Sequence, residues 1–502
     1  MLQQVRRPTL EERTAHGQEA RLRARPSGHA GWTPAPDRPD PVALIEEQNR
    51  RRDADLVPVR HGRMMASPFT FYRGAAKIMA ADLEPTPTAG LDVQLCGDAH
   101  LSNFGVFGSP ERRLVFDIND FDETIPGPFE YDVKRLAASL TVAAQNNGFS
   151  AAEASEITKA SVAEYREAMG GFAGMRTLDV WYAHVSEDQI RTSLAALLGQ
   201  TEDTDKRKAK GKGKGKSKSK ASSDAGTAGL PPKEIRKIEK RLDKGAEKAR
   251  SRNSLQALAK LAVVVDGSYR IASAPPVVVP ARDLFATYGL DPEQQEEVII
   301  NQFEEYRSTL EPDRRQLLER FEVVDWARKV VGVGSVGTRA FIVLLQGRDQ
   351  DDPLFLQVKE ATKSVLEGPT RHSRYEQAGE RVVQGQRLMQ ATSDIFLGWT
   401  RGVEADRYFY WRQLRDMKGS ALVEQMSPEA MSFYGRLCGW TLARAHARSG
   451  DPVAIAAYLG ADDSFDTGVT DFAVRYAEQN DRDFAAFTEA IRSGRLEAVQ
   501  GV

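Results

Sequence analysis

The chain has 502 residues, 41% apolar and 28% charged, a formal net charge of −2 and only two cysteines, Cys96 and Cys438. That composition excludes a collagen-like, wholly disordered or disulfide-stapled protein and leaves length for about two or three packed units. No apolar run approaches the about 18 residues of a membrane span and no apolar leader opens the chain, so a cytoplasmic protein without a membrane partner is expected. Nine basic residues fall in the acid-free tract Lys206–Lys220, and the rest of the chain carries a formal −11. Basic character is therefore local, and contact with nucleic acid is expected only weakly, through that tract.

In chain order, residues 1–55 combine charge and prolines with little periodicity, which predicts a loosely ordered arm. LDVQLCG at 91–97 and RLVFDIND read as strands, and the spacing of Val133, Leu136, Ala137 and Leu140 predicts a helix over 131–145 with one buried face. Helices are expected over 151–200, then a flexible Lys/Gly/Ser-rich insertion at 201–230 and a charged helix after Pro231. VVVDGSYRIASAPPVVVP reads as a short strand pair, followed by helices over 291–320. Alternation across 321–361, broken by a polar turn at 347–353, predicts a hairpin sheet. A helix over 372–391, strands at 395–399 and 408–414, and helix from Pro428 onward complete the reading.

Two regions carry chemistry. GVGSVG at 332–337 fits G-x-G-x-x-G, and because Gly337 leads into the alternating, β-branched TRAFIVLLQ, the loop joins two strands rather than opening a helix. That is the form of a kinase phosphate-covering loop, with Gly332, Gly334, Ser335 and Gly337 along it. Such a loop requires a lysine on a following strand, and Lys359 in LFLQVKEA supplies it. An ammonium between Val358 and Ala361 needs an anionic partner. Glu380 is the expected one and Glu376 the alternative.

In the other region, CGDAHLSNFG places Asp98 and Asn103 five apart after a strand, the spacing at which a kinase catalytic loop puts its base and a metal-holding asparagine. RLVFDINDFDE then brings Asp117, Asp120 and Asp122 to the end of the next strand, where carboxylates repel unless a cation sits among them. His100 is placed to hydrogen-bond a carboxylate and hold the loop. Asp132 is either an N-terminal helix charge or a tether for the catalytic-loop backbone.

GDAHLSN, NDFDE and YDVKRLA together resemble the aminoglycoside phosphotransferase and choline kinase branch of the protein-kinase-like fold. The resemblance implies Asp98 as catalytic base, Asn103 and Asp120 as magnesium ligands with Asp122 beside them, His100 as loop organiser and Asp132 as tether. Cys96 stands where that branch has its first histidine. The order also departs from it, because the catalytic cluster precedes the glycine loop and WTLARAHARSG at 440–450, similar to the helix that leads into a kinase catalytic loop, follows both. A circular permutation accounts for this order. SPFTFYRG, GDAHLSNFGVFG, VGVGSVGTR, LQVKEA, RQLRDMKG and ARAHARSGD, with the rest of the chain from about residue 55, are similar to the domain of unknown function 2252 family.

The expected fold is α+β, two-lobed, kinase-like and circularly permuted. Residues 1–55 would be the arm, 56–200 the catalytic half of the large lobe, 201–230 the insertion, 231–320 a helical connection, 321–420 the nucleotide-binding small lobe and hinge, and 421–502 the helical remainder. The hinge would hold adenine through backbone groups of Gln413 and Leu414, with Arg412, Arg415 or Lys418 as a further contact. The expected activity is transfer of a phosphoryl group from ATP with Mg2+ to a hydroxyl of an unidentified acceptor. Nucleotidyl (AMP) transfer and a non-catalytic nucleotide-binding regulatory module are the alternatives.

Overall fold

The computed structural model describes residues 7–194, 232–288, 292–330, 332–404, 406–414 and 417–501. Among them the fold is α+β: a mostly helical body, a six-stranded and a four-stranded antiparallel sheet, and two isolated strand pairs. The expected insertion at 201–230 lies outside the described residues. No helix among the described residues is long and apolar enough to cross a membrane, and both cysteines are buried and free.

The body is organised around helix Phe129–Asn146, which starts straight after Pro128 and carries Glu130 and Asp132 in the first turn, where carboxylates meet the positive end of the helix dipole. Apolar spacing predicts one buried face; the structure buries every residue from Phe129 to Ala144. Ser139 Oγ accepts the Leu101 N–H at 3.0 Å, and the further face, which includes Thr141, is small enough for helices Ala151–Ala173 and Ser464–Arg492 to close over it. Thr141 and Thr158 share a 2.8 Å hydroxyl hydrogen bond across that contact. Helix Pro428–Ser449 packs on Ala151–Ala173 at Gly439, where a Cβ would lie 2.3 Å from the Ser161 carbonyl oxygen.

The hairpin sheet expected over 321–361 is the centre of a larger one, with strand order Gly398–Arg401, Tyr408–Gln413, Pro353–Ala361, Ala340–Gln346, Glu322–Lys329, Val278–Pro280. Period-two alternation divides its core. Val343 and Leu345 face Tyr306, Leu310 and Leu318 of the connecting helices, while Ile342 and Leu344 face Ala257, Leu258 and Leu261. With both faces covered, Pro353–Ala361 is buried along its whole length, and Lys359 with it.

Two expectations are corrected. Residues 7–55 are not a loose arm: helix Leu10–Arg23 is closed by a Thr9/Glu12 capping box and packs on Pro452–Leu459, with Arg13 paired to Asp451 at 2.6 Å. Arg38 bridges Asp82 and Asp483, each at 2.6 Å. The order comes from arginine anchors rather than from an apolar stripe, which is why hydrophobic periodicity misses it. The helix expected over 372–391 is confined to Ala378–Met389.

Chain segments far apart in sequence meet. Strand Asp92–Leu95 lies against the end of helix Pro428–Ser449, where the Gln94 N–H donates to Ser449 Oγ at 3.1 Å and a Cβ on Gly450 would lie 2.6 Å from Val93 Cγ1.

Candidate functional site

Strand Asp92–Leu95 delivers the chain into the loop that carries Asp98. Gly97 turns it with φ +85°, a conformation in which a Cβ would lie 2.2 Å from the Glu123 carbonyl oxygen. Asp132 meets both of its readings, since it sits in the first helical turn and also tethers the loop backbone. Its carboxylate, 1% exposed, accepts the Cys96 N–H at 2.7 Å and the Gly97 N–H at 3.0 Å. His446 Nε2 lies 3.2 Å from the same carboxylate, with Tyr165 hydroxyl 2.8 Å from His446 Nδ1. One turn on, Arg135 Nε donates to Asp98 Oδ1 at 2.8 Å. Asn103 is fixed by its Nδ2, which donates to the Asp98 carbonyl at 2.7 Å.

His100 departs from expectation. Its Nε2 is 3.6 Å from Asp98 Oδ2, beyond hydrogen-bond reach, and its Nδ1 is buried without a partner among the described residues. Burial pushes the imidazole down to about 4, Arg73 and Arg135 adding to the effect against Asp98. At neutral pH the ring is therefore uncharged.

Lys359 reaches across from the six-stranded sheet. Its Nζ lies 3.1 Å from Asp120 Oδ1 and 2.6 Å from Asp122 Oδ2. The expected pairing with Glu380, or with Glu376, is absent among the described residues; the same helix instead sends Arg381 to the carbonyls of Asp122 and Thr362, both at 2.8 Å. Burial works against the Lys359 ammonium, but the two carboxylates outweigh it and hold it above its ordinary value. Burial likewise raises the Asp120 carboxyl, and the charges of Lys359, Arg412 and Lys418 reverse this and hold it at about 2. Asp122 has both oxygens engaged, Oδ1 accepting from the Tyr410 hydroxyl at 2.6 Å. Asp117 is fully buried against Arg444 and accepts the Ala391 N–H at 2.8 Å. The cations that the carboxylate cluster demands are thus side chains of the chain itself.

The glycine loop joins strands Glu322–Lys329 and Ala340–Gln346, as expected. Gly332 and Gly337 take φ of +67° and +86°, which no β-branched residue adopts without strain. The N-terminal segment holds its carbonyls: Arg63 donates to Gly332 at 2.6 Å, the Asp53 N–H to Gly337 at 2.8 Å, and Arg52 to Val336. The hinge expectation is corrected in one respect. The Gln413 N–H donates to Asp394 and the Leu414 N–H to the Phe355 carbonyl, so neither donor is free for a base. Arg412 is also engaged, with Gln357 at 3.1 Å and the Asn119 carbonyl at 3.0 Å, while Arg415 lies outside the described residues.

These parts line two cavities of one cleft. The larger, about 900 Å³, is lined by Asp98, His100, Asp122, Gly334 and Glu376; the smaller, about 390 Å³, by Lys359, Gln357, Arg412, Gln413, Leu414 and Lys418. Arg73, Asn103, Asp120, Gly332 and Ser335 line both and form the junction. Gly337 and Glu380 line neither. Among the described residues no three His, Cys, Asp or Glu side chains form a metal cage. Asn103 and Asp120, the expected magnesium ligands, lie together at the junction of the two cavities.

Sequence reasoning missed Arg135, although its spacing of three from Asp132 puts both on the helix face that meets the loop carrying Asp98. It assigned no role to Arg73. It also passed over Glu123, whose carboxyl burial pushes up to about 7, and did not foresee that burial beside Arg412 brings Lys418 down to about 7. Nothing in sequence spacing marks Glu123. The family described as "Uncharacterized protein conserved in bacteria (DUF2252)" matches residues 52–225 and 212–490. No curated protein and no solved structure matches the chain.

Proposed function

This chain belongs to the DUF2252 family of bacterial proteins, and from that premise and the geometry of the cleft we propose that it is an ATP- and magnesium-dependent phosphotransferase with a circularly permuted, kinase-like arrangement. The observation that carries the reading is the convergence of two sequence regions more than 200 residues apart: Asp98, Asn103 and Asp120 share one cleft with the glycine loop and Lys359, and Lys359 is ion-paired to Asp120. The meeting of Ser449 with Gln94 supports the permutation, since a chain passing from 449 to 92 would run glycine loop, lysine, hinge, helix and catalytic loop in kinase order.

In this reading the smaller cavity takes the nucleotide and the larger the acceptor. Bound magnesium would supply charge screening of the phosphates, held by Asn103 and Asp120. Lys359 carries the positive charge toward the phosphates. Asp98, oriented by Arg135, accepts the hydroxyl proton as the acceptor oxygen bonds to the terminal phosphorus, the bond from that phosphorus to the β–γ bridging oxygen breaks, and ADP leaves.

Calorimetric titration of Mg-ATP into wild type, Lys359→Ala and Asp120→Asn, followed by an acceptor screen with label on the γ- or α-phosphate, tests this. Micromolar binding lost in both variants, and γ-label transfer abolished by Asp98→Ala, is the expected result. Transfer of α-label instead would identify nucleotidyl transfer, and wild type that binds no nucleotide would overturn the reading.

A further inference from the structure

Arg73 stands at the junction of the two cavities, and no protein partner among the described residues accounts for it. It lies near the end of the short helix Pro68–Gly74, which is fixed on both sides. Ser67 and Thr70 form a capping box at its start. At its end Tyr72 is locked to Arg135, the Tyr72 hydroxyl donating to the Arg135 carbonyl and Arg135 Nη2 to the Tyr72 carbonyl, each at 2.8 Å. The glycine loop rests on the same spot, since a Cβ on Gly334 would lie 3.4 Å from the Arg73 carbonyl oxygen.

The neighbouring arginines are all occupied: Arg135 by Asp98, Arg412 by Gln357 and Asn119, Arg381 by backbone carbonyls, Arg52 by Val336. Arg73 differs. Its Nε is buried without a hydrogen-bond partner, and no ion pair among the described residues fixes its guanidinium, which lies 6.0 Å from the centre of the Phe69 ring. Burial lowers it from its ordinary value, with Glu424 and Asp98 only partly offsetting this. A half-buried cation whose Nε is shielded without a partner, with its hydrogen-bonding fork unspent, is a preformed site for an anion of matching planar or tetrahedral geometry, and phosphate is the group that guanidinium matches.

We propose that Arg73 binds the phosphoryl group in transit, the terminal phosphate of the triphosphate, where the nucleotide and acceptor cavities meet. The assignment rests on the phosphotransfer reading and adds to it a residue that the kinase parts do not include. It is supplied from outside the glycine loop, the lysine strand and the catalytic loop. An arginine at this place neutralises charge on the transferring oxygens, which is where phosphoryl-transfer sites gain most of their rate.

The test is calorimetric titration of wild type, Arg73→Ala, Arg73→Lys and Lys359→Ala with Mg-ATP, Mg-ADP and magnesium tripolyphosphate, alongside thermal melting. Because the Arg73 guanidinium has no hydrogen-bond or ion-pair partner among the described residues, Arg73→Ala is expected to melt with wild type. It should weaken ATP and tripolyphosphate about 10- to 100-fold and leave ADP, which lacks the terminal phosphate, within about threefold. Arg73→Lys should recover part of the loss, and Lys359→Ala should weaken all three ligands. Equal loss of ATP and ADP in Arg73→Ala, or no loss, overturns the assignment while the phosphotransfer reading stands. Tripolyphosphate binding that depends on Arg73, in a wild type that ignores both nucleotides, supports the anion site and overturns the nucleotide reading. A wild type that binds none of the three overturns both.

Discussion

Removing the Asp132 carboxylate is expected to cost more stability than any other single change at the loop carrying Asp98. Asp132 is 1% exposed and accepts two backbone N–H groups, from Cys96 at 2.7 Å and Gly97 at 3.0 Å. Hydrogen bonds to a charged group contribute about 1.5–3 kcal/mol each, and truncation in a dry site strands both donors, so Asp132→Ala should lose about 3–6 kcal/mol. Asp132→Asn keeps one acceptor oxygen and turns an NH2 group toward the other donor, so about half of that, about 1.5–3 kcal/mol, is expected. Against a total stability of about 5–15 kcal/mol the alanine variant is near the edge of folding. Urea denaturation at neutral pH, reading the midpoint and the slope, separates lost stability from a changed unfolded state. The order wild type, asparagine, alanine is the signature. An asparagine variant within about 0.5 kcal/mol of wild type at unchanged slope would refute the tether, because one of two buried donors cannot be orphaned at so small a cost.

Lys359→Met leaves Asp120 and Asp122, which are 31% and 28% exposed, without their ammonium. Discounting for that exposure, a loss of about 1–3 kcal/mol in urea unfolding and loss of nucleotide binding are expected together; loss of binding with stability unchanged would show that the ion pair is not structural. Asp120 has its folded value depressed from 3.8 to about 2, so its contribution is complete above its ordinary range and fades as pH falls through that interval. Asp120→Asn should therefore lose less stability than wild type on acidification from about pH 5 to pH 2.5, and parallel curves would contradict this. Gly97→Ala combines a φ of +85° with a Cβ 2.2 Å from the Glu123 carbonyl and should cost at least about 2 kcal/mol. Gly148→Ala, at φ +76° with nothing within 4 Å, should cost only about 1 kcal/mol; equal melting temperatures for the two would refute the packing argument.

Periodicity found what depends on periodicity. Strands Asp92–Leu95, Leu114–Ile118 and Pro353–Ala361, the charged helix Pro232–Arg250 and the hairpin at 262–271 lie where their patterns put them. It missed order that rests on single polar anchors, as in Leu10–Arg23 held by Arg13 and Asp451. It also halved the burial of Phe129–Asn146, because Ala, Ser and Thr carry little hydropathy and the closeness they permit is visible only with both partners in place. At the site, residue types and spacings were legible but pairings were not. Glu380 shares a helix with the residue that does reach the cleft, Arg381, and only the rotation of that helix decides between them. Which carboxylate neutralises Lys359 is likewise a matter of how two sheets approach, which no local spacing encodes.

The distance along the chain between the two halves of the cleft has a physical consequence. Asp120 and Lys359 are joined at 3.1 Å across 239 residues, so each half of the charge pair is a liability until the other has docked: two clustered carboxylates on one side, a lysine in a fully buried strand on the other. The six-stranded sheet and its covering helices can bury Val343, Leu345, Ile342 and Leu344 without help from the half that carries Asp98 and Asp120. The loop carrying Asp98 cannot be set in that way, because its Cys96 and Gly97 donors need Asp132 and its supporting strand needs Ser449. Stability of the cleft is thus shared among three distant stretches, near 92–135, 322–361 and 428–449. An anion bound at Arg73, at the junction lined by Gly332 and Ser335 on one side and Asn103 on the other, would stabilise the docked state in proportion to its occupancy.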